Sequence, residues 1–183
     1  ATNTEMKQLY NYLKTREKNP LKKMQALVVV SKKIAEYFDD HLLSCGLTYS
    51  GHPLACAAGV ACLKFYDDAK ILDNVNASGK VLGEELEALK AKYDIVGDVR
   101  YIGLFSAIEL VKDRKTKAPL VEYGKDPAGI MKSIIGKLKE KGFMTYSHEN
   151  MILICPPLII TPEQVKEEMK KVDEVIAEIN GIY

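Results

Sequence analysis

The chain has 183 residues, enough for a domain of ordinary size with a proper buried core. Its 47% hydrophobic and 28% charged residues are the composition of a globular protein, not of a disordered one. Lysine plus arginine number 26 against 25 for aspartate plus glutamate, a formal charge of +1, which argues against a nucleic-acid surface; no apolar run approaches the roughly 20 residues that span a bilayer.

The opening stretch ATNTEMKQLYNYLKTREKNP is too polar for a signal peptide, and a cytoplasmic location is expected. Residues 4–18 permit a helix that stops at Asn19-Pro20. ALVVVS (26–31) is a β-branched run long enough for one buried strand, after which Ser31 can cap a helix through KKIAEYF. Pro53 suits the first position of the next helix, PLACAAGVACLKFYDD, whose small residues predict close burial against neighbours. Residues 69–93 form an amphipathic helix in which Leu72, Val75, Leu82, Leu86 and Leu89 share a face, with Gly79 filling the gap between them.

Two extended segments follow, IVGDVRYIG and LFSAIELVKD, meeting at Gly103 with a bend or bulge. In the second, Phe105, Ala107 and Glu109 alternate with Leu104, Ser106, Ile108 and Leu110. RKTKAPLVEYGKDP (114–127) reads as a charged surface loop, and a helix over about 128–141 stops at Gly142. FMTYS and NMILICPP predict a hairpin around His148-Glu149-Asn150, and Thr161-Pro162-Glu163-Gln164 spells a capping box opening a last helix to about Ile179. The expected fold is α/β, of α+β character: an antiparallel or mixed sheet of about three or four strands with helices on one face.

The chemistry concentrates in CGLTYSGHPLACAAG (45–59). A glycine turn frees backbone N–H groups, Thr48, Tyr49 and Ser50 add hydroxyls, and a helix N-terminus with its favourable dipole follows at once. That is a phosphate or carboxylate site in outline; an ordinary turn in which Ser50 or His52 caps the orphan donors accounts for the same residues. His41, His52 and His148 have no nucleophile beside them in sequence and read as structural or solvated histidines. Asp98 and Arg100 lie on one side of an extended segment and predict a structural ion pair, and a half-buried Glu109 needs a partner, for which Arg100 is a candidate. Cys45, Cys56, Cys62 and Cys155 contain no CxxC pair, match neither a zinc site nor a disulfide framework, and read as reduced apolar thiols.

GLTYSGHPLACAAGVACL, VGDVRYIGLFSAIELVKD and ILICPPLIITPEQVKE stand in series, and together they resemble the C-terminal part of class III aminotransferases, pyridoxal-phosphate (PLP) enzymes of fold type I. The resemblance covers about residues 27–183, leaving 1–26 as an atypical N-terminal extension. VVVSKKIAEYFDDHLLSCGLTYSGHP is most similar to the branch acting on ω-amino donors such as taurine, β-alanine or putrescine. It implies that Leu47 and Thr48 bind the phosphate of PLP held by a neighbouring subunit, with Thr48 donating through hydroxyl and amide.

The same resemblance implies departures. The lysine that bonds the coenzyme sits in the family in an Ala-Lys-Gly element about a dozen residues before the strand matching VVVS; here that count lands near Arg16, in KTREKNP, and Lys14 and Lys18 have no following glycine. The large domain has no counterpart in the sequence. Relatives often carry a substrate-binding arginine shortly before the PPL strand; His148 stands nearest to that place and cannot reproduce a bidentate guanidinium. The family's glycine after GDVR is Tyr101. The expectation is a truncated aminotransferase chain, inactive alone, whose parent moves an amino group from an ω-amine to a 2-oxo acid. It is expected to self-associate, or to pair with a separately encoded large-domain chain. The alternative is a non-catalytic interaction or dimerisation module. No catalytic residue and no metal site are expected.

Overall fold

The computed structural model describes residues 31–44, 46 and 52–183. The expected helix over 4–18, the strand over 26–31 and the boundary at residue 26 lie outside the described residues. The chain falls into two compact units, one ending at Lys70 and the other running from Ile71 to Tyr183.

In the first unit, α1 (Lys32–Asp40) starts where a cap was expected: Ser31 is extended and its hydroxyl accepts from the Ile34 amide. None of its residues is buried, so Ile34, Tyr37 and Phe38 stand at the surface. Helix α2 (Pro53–Asp68) begins with the proline at N1. The close burial expected of it is not found: among its described side chains only Cys56 is buried, Gly59, Val60 and Leu63 are half-buried, and Leu54, Ala57, Ala58 and Ala61 are exposed. Small side chains permit close packing but do not supply the surface that packs.

The second unit opens with α3 (Ile71–Lys92), two residues later than expected, after a turn in which Lys70 adopts φ +49°. The buried stripe is the expected one from Gly79 onward and differs in the first two turns. Ile71 heads it in place of Leu72, which is 37% exposed, and Ser78, Gly79, Leu82, Leu86 and Leu89 continue it. Strands β1 (Val96–Ile102) and β2 (Phe105–Asp113) form an antiparallel hairpin whose last pair is Ile102 with Phe105. Gly103-Leu104 is therefore a two-residue turn, not a bend. Gly103 at φ +56° takes its first central position, which type II′ turns reserve for glycine. The irregularity expected at Gly103 lies instead at the other end of the pair, between Val96 and Asp98.

The 114–127 stretch is not wholly a surface loop. Strand β3 (Ala118–Pro119) pairs with β2, the Leu120 amide donates to Leu110 O, and Leu120 and Val121 are buried. An apolar pair inside a charged run has enough hydrophobic drive to pull that part of the loop onto the core. Helix α4 (Ile130–Glu140) is held at its start by Asp126, whose carboxylate accepts from the amides of Ile130 and Met131, and Gly142 at φ +80° ends it as expected. Strands β4 (Tyr146–His148) and β5 (Met151–Ile154) make the expected hairpin around Glu149-Asn150. Helix α5 (Pro162–Ile179) carries the full capping box: Thr161 Oγ1 accepts from the Gln164 amide while Gln164 Oε1 accepts from the Thr161 amide.

The strands run in the order β1-β2-β5-β4, all antiparallel, with β3 beside β2. Ser106, Ile108, Leu110, Ile152 and Ile154 are buried together with α3 and α5 residues such as Leu86, Val172 and Ile176. Each fully buried Leu or Ile contributes about 1.5–3 kcal/mol. The opposite face carries Ile102, Phe105 and Tyr146, exposed at 78%, 60% and 62%. The mixed α/β fold with helices on one face of an antiparallel sheet is thus the one expected from the sequence.

Candidate functional site

The turn expected to hold a phosphate lies just before α2. Leu47 and Thr48, its expected ligands, are outside the described residues. What is described is the helix end behind them: Pro53 at N1, and no acidic residue in the first turn to oppose an anion. The chemistry of the expected donor set, backbone amides, hydroxyls and the positive end of a sixteen-residue helix, fits the phosphate end of a phosphorylated coenzyme.

Of the three histidines, His41 and His52 belong to the first unit and His148 to the second. The His41 ring stacks on Tyr37 with centroids 3.9 Å apart, and its Nδ1 lies 2.8 Å from Tyr37 O. His148 ends β4 in an exposed position, paired in register with Met151. Beside it Glu149, at φ +52°, accepts from the Gly124 amide at 2.8 Å, tying the hairpin tip to the 120–126 loop.

On the open face of the sheet the expected ion pair is part of a larger cluster. Arg100 Nη1 donates to Asp98 Oδ2 at 3.1 Å and to Glu109 Oε2 at 2.7 Å, and Lys90 Nζ donates to Asp98 Oδ1 at 2.8 Å. The Glu109 partner is the one the sequence suggested; Lys90, arriving from the end of α3, was not foreseen. The cluster pairs its cations and carboxylates with one another and presents no nucleophile–base pair, so its role is structural.

The Lys90 ammonium, through its hydrogen bond, holds Asp98 below its ordinary 3.8, and Asp98 in turn raises Lys90. These are one interaction seen from two sides. A carboxylate with a depressed folded value stabilises the fold above the unfolded value and loses that contribution as pH falls through the folded one. Replacing Asp98 by Asn should therefore cost at most about 1 kcal/mol near neutrality, because both side chains are partly solvated. The difference from wild type should shrink steadily as urea titrations are carried to pH values progressively further below the ordinary 3.8; a difference that does not change with pH would show that charge is not its source.

Two more features position this region. Asn74 Nδ2 donates to Leu158 O and Ile160 O, and Ser78 Oγ donates to Ile160 O, clamping the Pro156–Ile160 strap to α3. A polar i, i+4 pair on an otherwise apolar helix face was the signal for this clamp. Behind the strap lies an apolar cavity of about 260 Å³, lined by Leu82, Ile154, Cys155, Val165 and Met169 among others. Tyr101, where the family glycine was expected, lays its ring against Gly83 of α3: a Cβ there would stand 2.5 Å from the ring. Among the described residues there is no cluster of metal-ligating side chains, and no helix is long and apolar enough to cross a membrane. Cys56, Cys62 and Cys155 are free thiols.

An antiparallel sheet backed by helices on one face is the arrangement that the resemblance to class III aminotransferases implied. The sequence profile of aminotransferase class-III matches residues 24–176, and the chain belongs to that family. It is similar to the taurine:2-oxoglutarate aminotransferase of Bifidobacterium kashiwanohense, solved in complex with PLP and glutamate, with 44% identity and a TM-score of 0.78 over 84% of this chain and 34% of that one. It is 35% identical over 137 residues to the adenosylmethionine-8-amino-7-oxononanoate aminotransferase of Methanocaldococcus jannaschii, covering 75% of this chain and 29% of the relative. To the 5-aminovalerate aminotransferase of Pseudomonas aeruginosa it is 32% identical over 137 residues, 73% of this chain and 30% of the relative. The chain thus spans about a third of the length of these relatives. PLP is the coenzyme of the family.

Proposed function

We propose that this chain supplies the C-terminal, small-domain part of a PLP-dependent transaminase that moves an amino group from an ω-amino donor to a 2-oxo acid. The observation that carries this reading is the 44% identity to a taurine:2-oxoglutarate aminotransferase across 84% of the chain. Residues 27–183 are the aminotransferase part and 1–26 a separate extension. The coenzyme, when bound, supplies an electron sink for the carbon that bears the amine. The chain's own work is binding: Thr48 donates to the phosphate through hydroxyl and amide, and Leu47 adds its amide. His148 meets the acidic end of the substrate as a single donor.

No Ala-Lys-Gly element occurs in residues 1–183. In this reading those residues alone bind the coenzyme through its phosphate and do not turn over. A large-domain aminotransferase partner completes the site. The exposed small-residue side of α2 and the apolar open sheet face support such a partner. The free thiols accord with the reducing cytoplasm.

The experiment is a PLP titration of the 183-residue chain, with an assay on taurine and 2-oxoglutarate. Weak binding, competed by inorganic phosphate and lowered about tenfold by Thr48→Ala, is expected, with no covalent bond to a lysine and no turnover above free PLP. Turnover well above that of free PLP, or binding indifferent to both phosphate and Thr48→Ala, would sink the proposal. The second reading, a non-catalytic dimerisation module, is favoured by the same exposed apolar surfaces. It requires self-association, and a clean monomer at high concentration in sedimentation runs would remove it.

A further inference from the structure

The guanidinium of Arg100 is divided between two kinds of acceptor. Nη1 is taken by Asp98 and Glu109, while Nη2 donates to the thioether sulfur of Met151 at 3.1 Å. Met151 lies in β5 directly opposite Glu109 of β2 and His148 of β4. Asn150 Nδ2 reaches Glu109 Oε1 at 3.5 Å and Leu110 O at 2.9 Å, so the row is also fixed from the hairpin side. A thioether is a weak acceptor, which makes Nη2–Sδ the poorest bond in a cluster otherwise built from charged oxygens. Met151 is only half-buried, within reach of a small oxidant.

We propose that Met151 is an oxidation-tolerant residue whose sulfoxide is captured by Arg100. In the step, hydrogen peroxide transfers one oxygen to Sδ: the O–O bond breaks, an S–O bond forms, sulfur is oxidised by two electrons and the peroxide is reduced to water. The new oxygen is a strong acceptor placed beside a permanent cation, and it takes the Nη2 donor that sulfur held weakly. Methionine sulfoxide ordinarily disrupts the packing around it; here the guanidinium offsets that disruption and the open face of the sheet stays ordered. Sulfoxide reduction restores the thioether, so the device is reversible. It is a property of the sheet and independent of transamination.

The test uses the 183-residue chain as wild type, Arg100→Ala, Arg100→Lys and Met151→Leu, treated with dilute peroxide and followed by site-resolved peptide mass spectrometry. Met144, 76% exposed, serves as internal rate reference. Relative to Met144, Met151 should oxidise about two- to fivefold faster in either Arg100 variant than in wild type, because the donor no longer draws on the sulfur lone pair. The change in thermal midpoint owed to Met151, taken as treated parent against treated Met151→Leu in the same Arg100 background, should be near zero with Arg100 and a loss of about 3–6 °C without it. Equal oxidation rates with and without Arg100, or the same loss of midpoint in both backgrounds, would overturn the proposal. Arg100→Lys keeps a positive charge and so guards against a folding failure of Arg100→Ala.

Discussion

Gly79→Ala is expected to lower the stability of the second unit by about 2–4 kcal/mol, read as a shift of the urea midpoint with an unchanged slope. A Cβ at this position would stand 2.7 Å from the carbonyl carbon and oxygen of Gly103. What it meets is backbone, in a turn that is itself held at φ +56°. No side-chain rotation can make room; α3 must move off the β1–β2 hairpin, or the hairpin turn must change its conformation. The gain in helix propensity from glycine to alanine, about 1 kcal/mol, is too small to compensate. Gly83 gives the contrast, because there the obstacle is the Tyr101 ring, which stands at the end of the sheet and is 45% exposed. Gly83→Ala should cost less, and much of that cost should disappear in a Gly83→Ala/Tyr101→Ala double variant. A Gly79→Ala protein as stable as wild type would mean that the helix and the turn do not approach this closely.

Arg114→Ala is the second large effect, expected at about 2–3 kcal/mol. The guanidinium reaches three backbone acceptors: Nε donates to Val96 O at 2.9 Å, and Nη2 donates to Tyr93 O at 2.7 Å and to Lys90 O. Two of these carbonyls belong to the exit of α3, where the last C=O groups have no partner within the helix and the dipole is negative. The third begins β1. One side chain from the far end of β2 therefore closes the α3–β1 connection, with a cation and a fork of donors in one group. Lysine is not equivalent, since a point charge on a flexible stem cannot serve separated acceptors in fixed geometry. Arg114→Lys should recover less than half of the loss. The nearby Asp94 carboxylate is fully exposed at 3.9 Å and contributes little, so Asp94→Ala should leave the midpoint within error. If Arg114→Ala proves as mild as Asp94→Ala, the three backbone bonds are not what holds this corner.

Much of the second unit was legible in the sequence because its signals are local. The capping box at Thr161, the glycine stop at Gly142, the alternation through Ser106, Ile108 and Leu110 and the hairpin at Glu149-Asn150 each rest on a few adjacent residues. The start of α3 was misplaced by two residues because nothing in Ala69-Lys70 marks a helix end, lysine being a poor host for a positive φ. Leu120 and Val121 were hidden inside a charged run, and their burial depends on where β2 lies. Lys90 and Arg114 bond groups remote in sequence, and no spacing rule announces such partners; the i, i+4 spacing of Asn74 and Ser78 marks a clamp without naming what it holds. The candidate site was legible only as a motif, since its expected ligands Leu47 and Thr48 lie outside the described residues.

Helix α2 leaves a consequence for how this chain tolerates change. Ala57, Ala58 and Ala61 lie open, so enlarging them deprives no described neighbour of space and leaves the fold indifferent. Within these residues their smallness answers to helix propensity and not to packing. A bulky replacement along that side would bear chiefly on the proposed partner, an effect that a screen scoring only whether the lone chain stays folded would pass over.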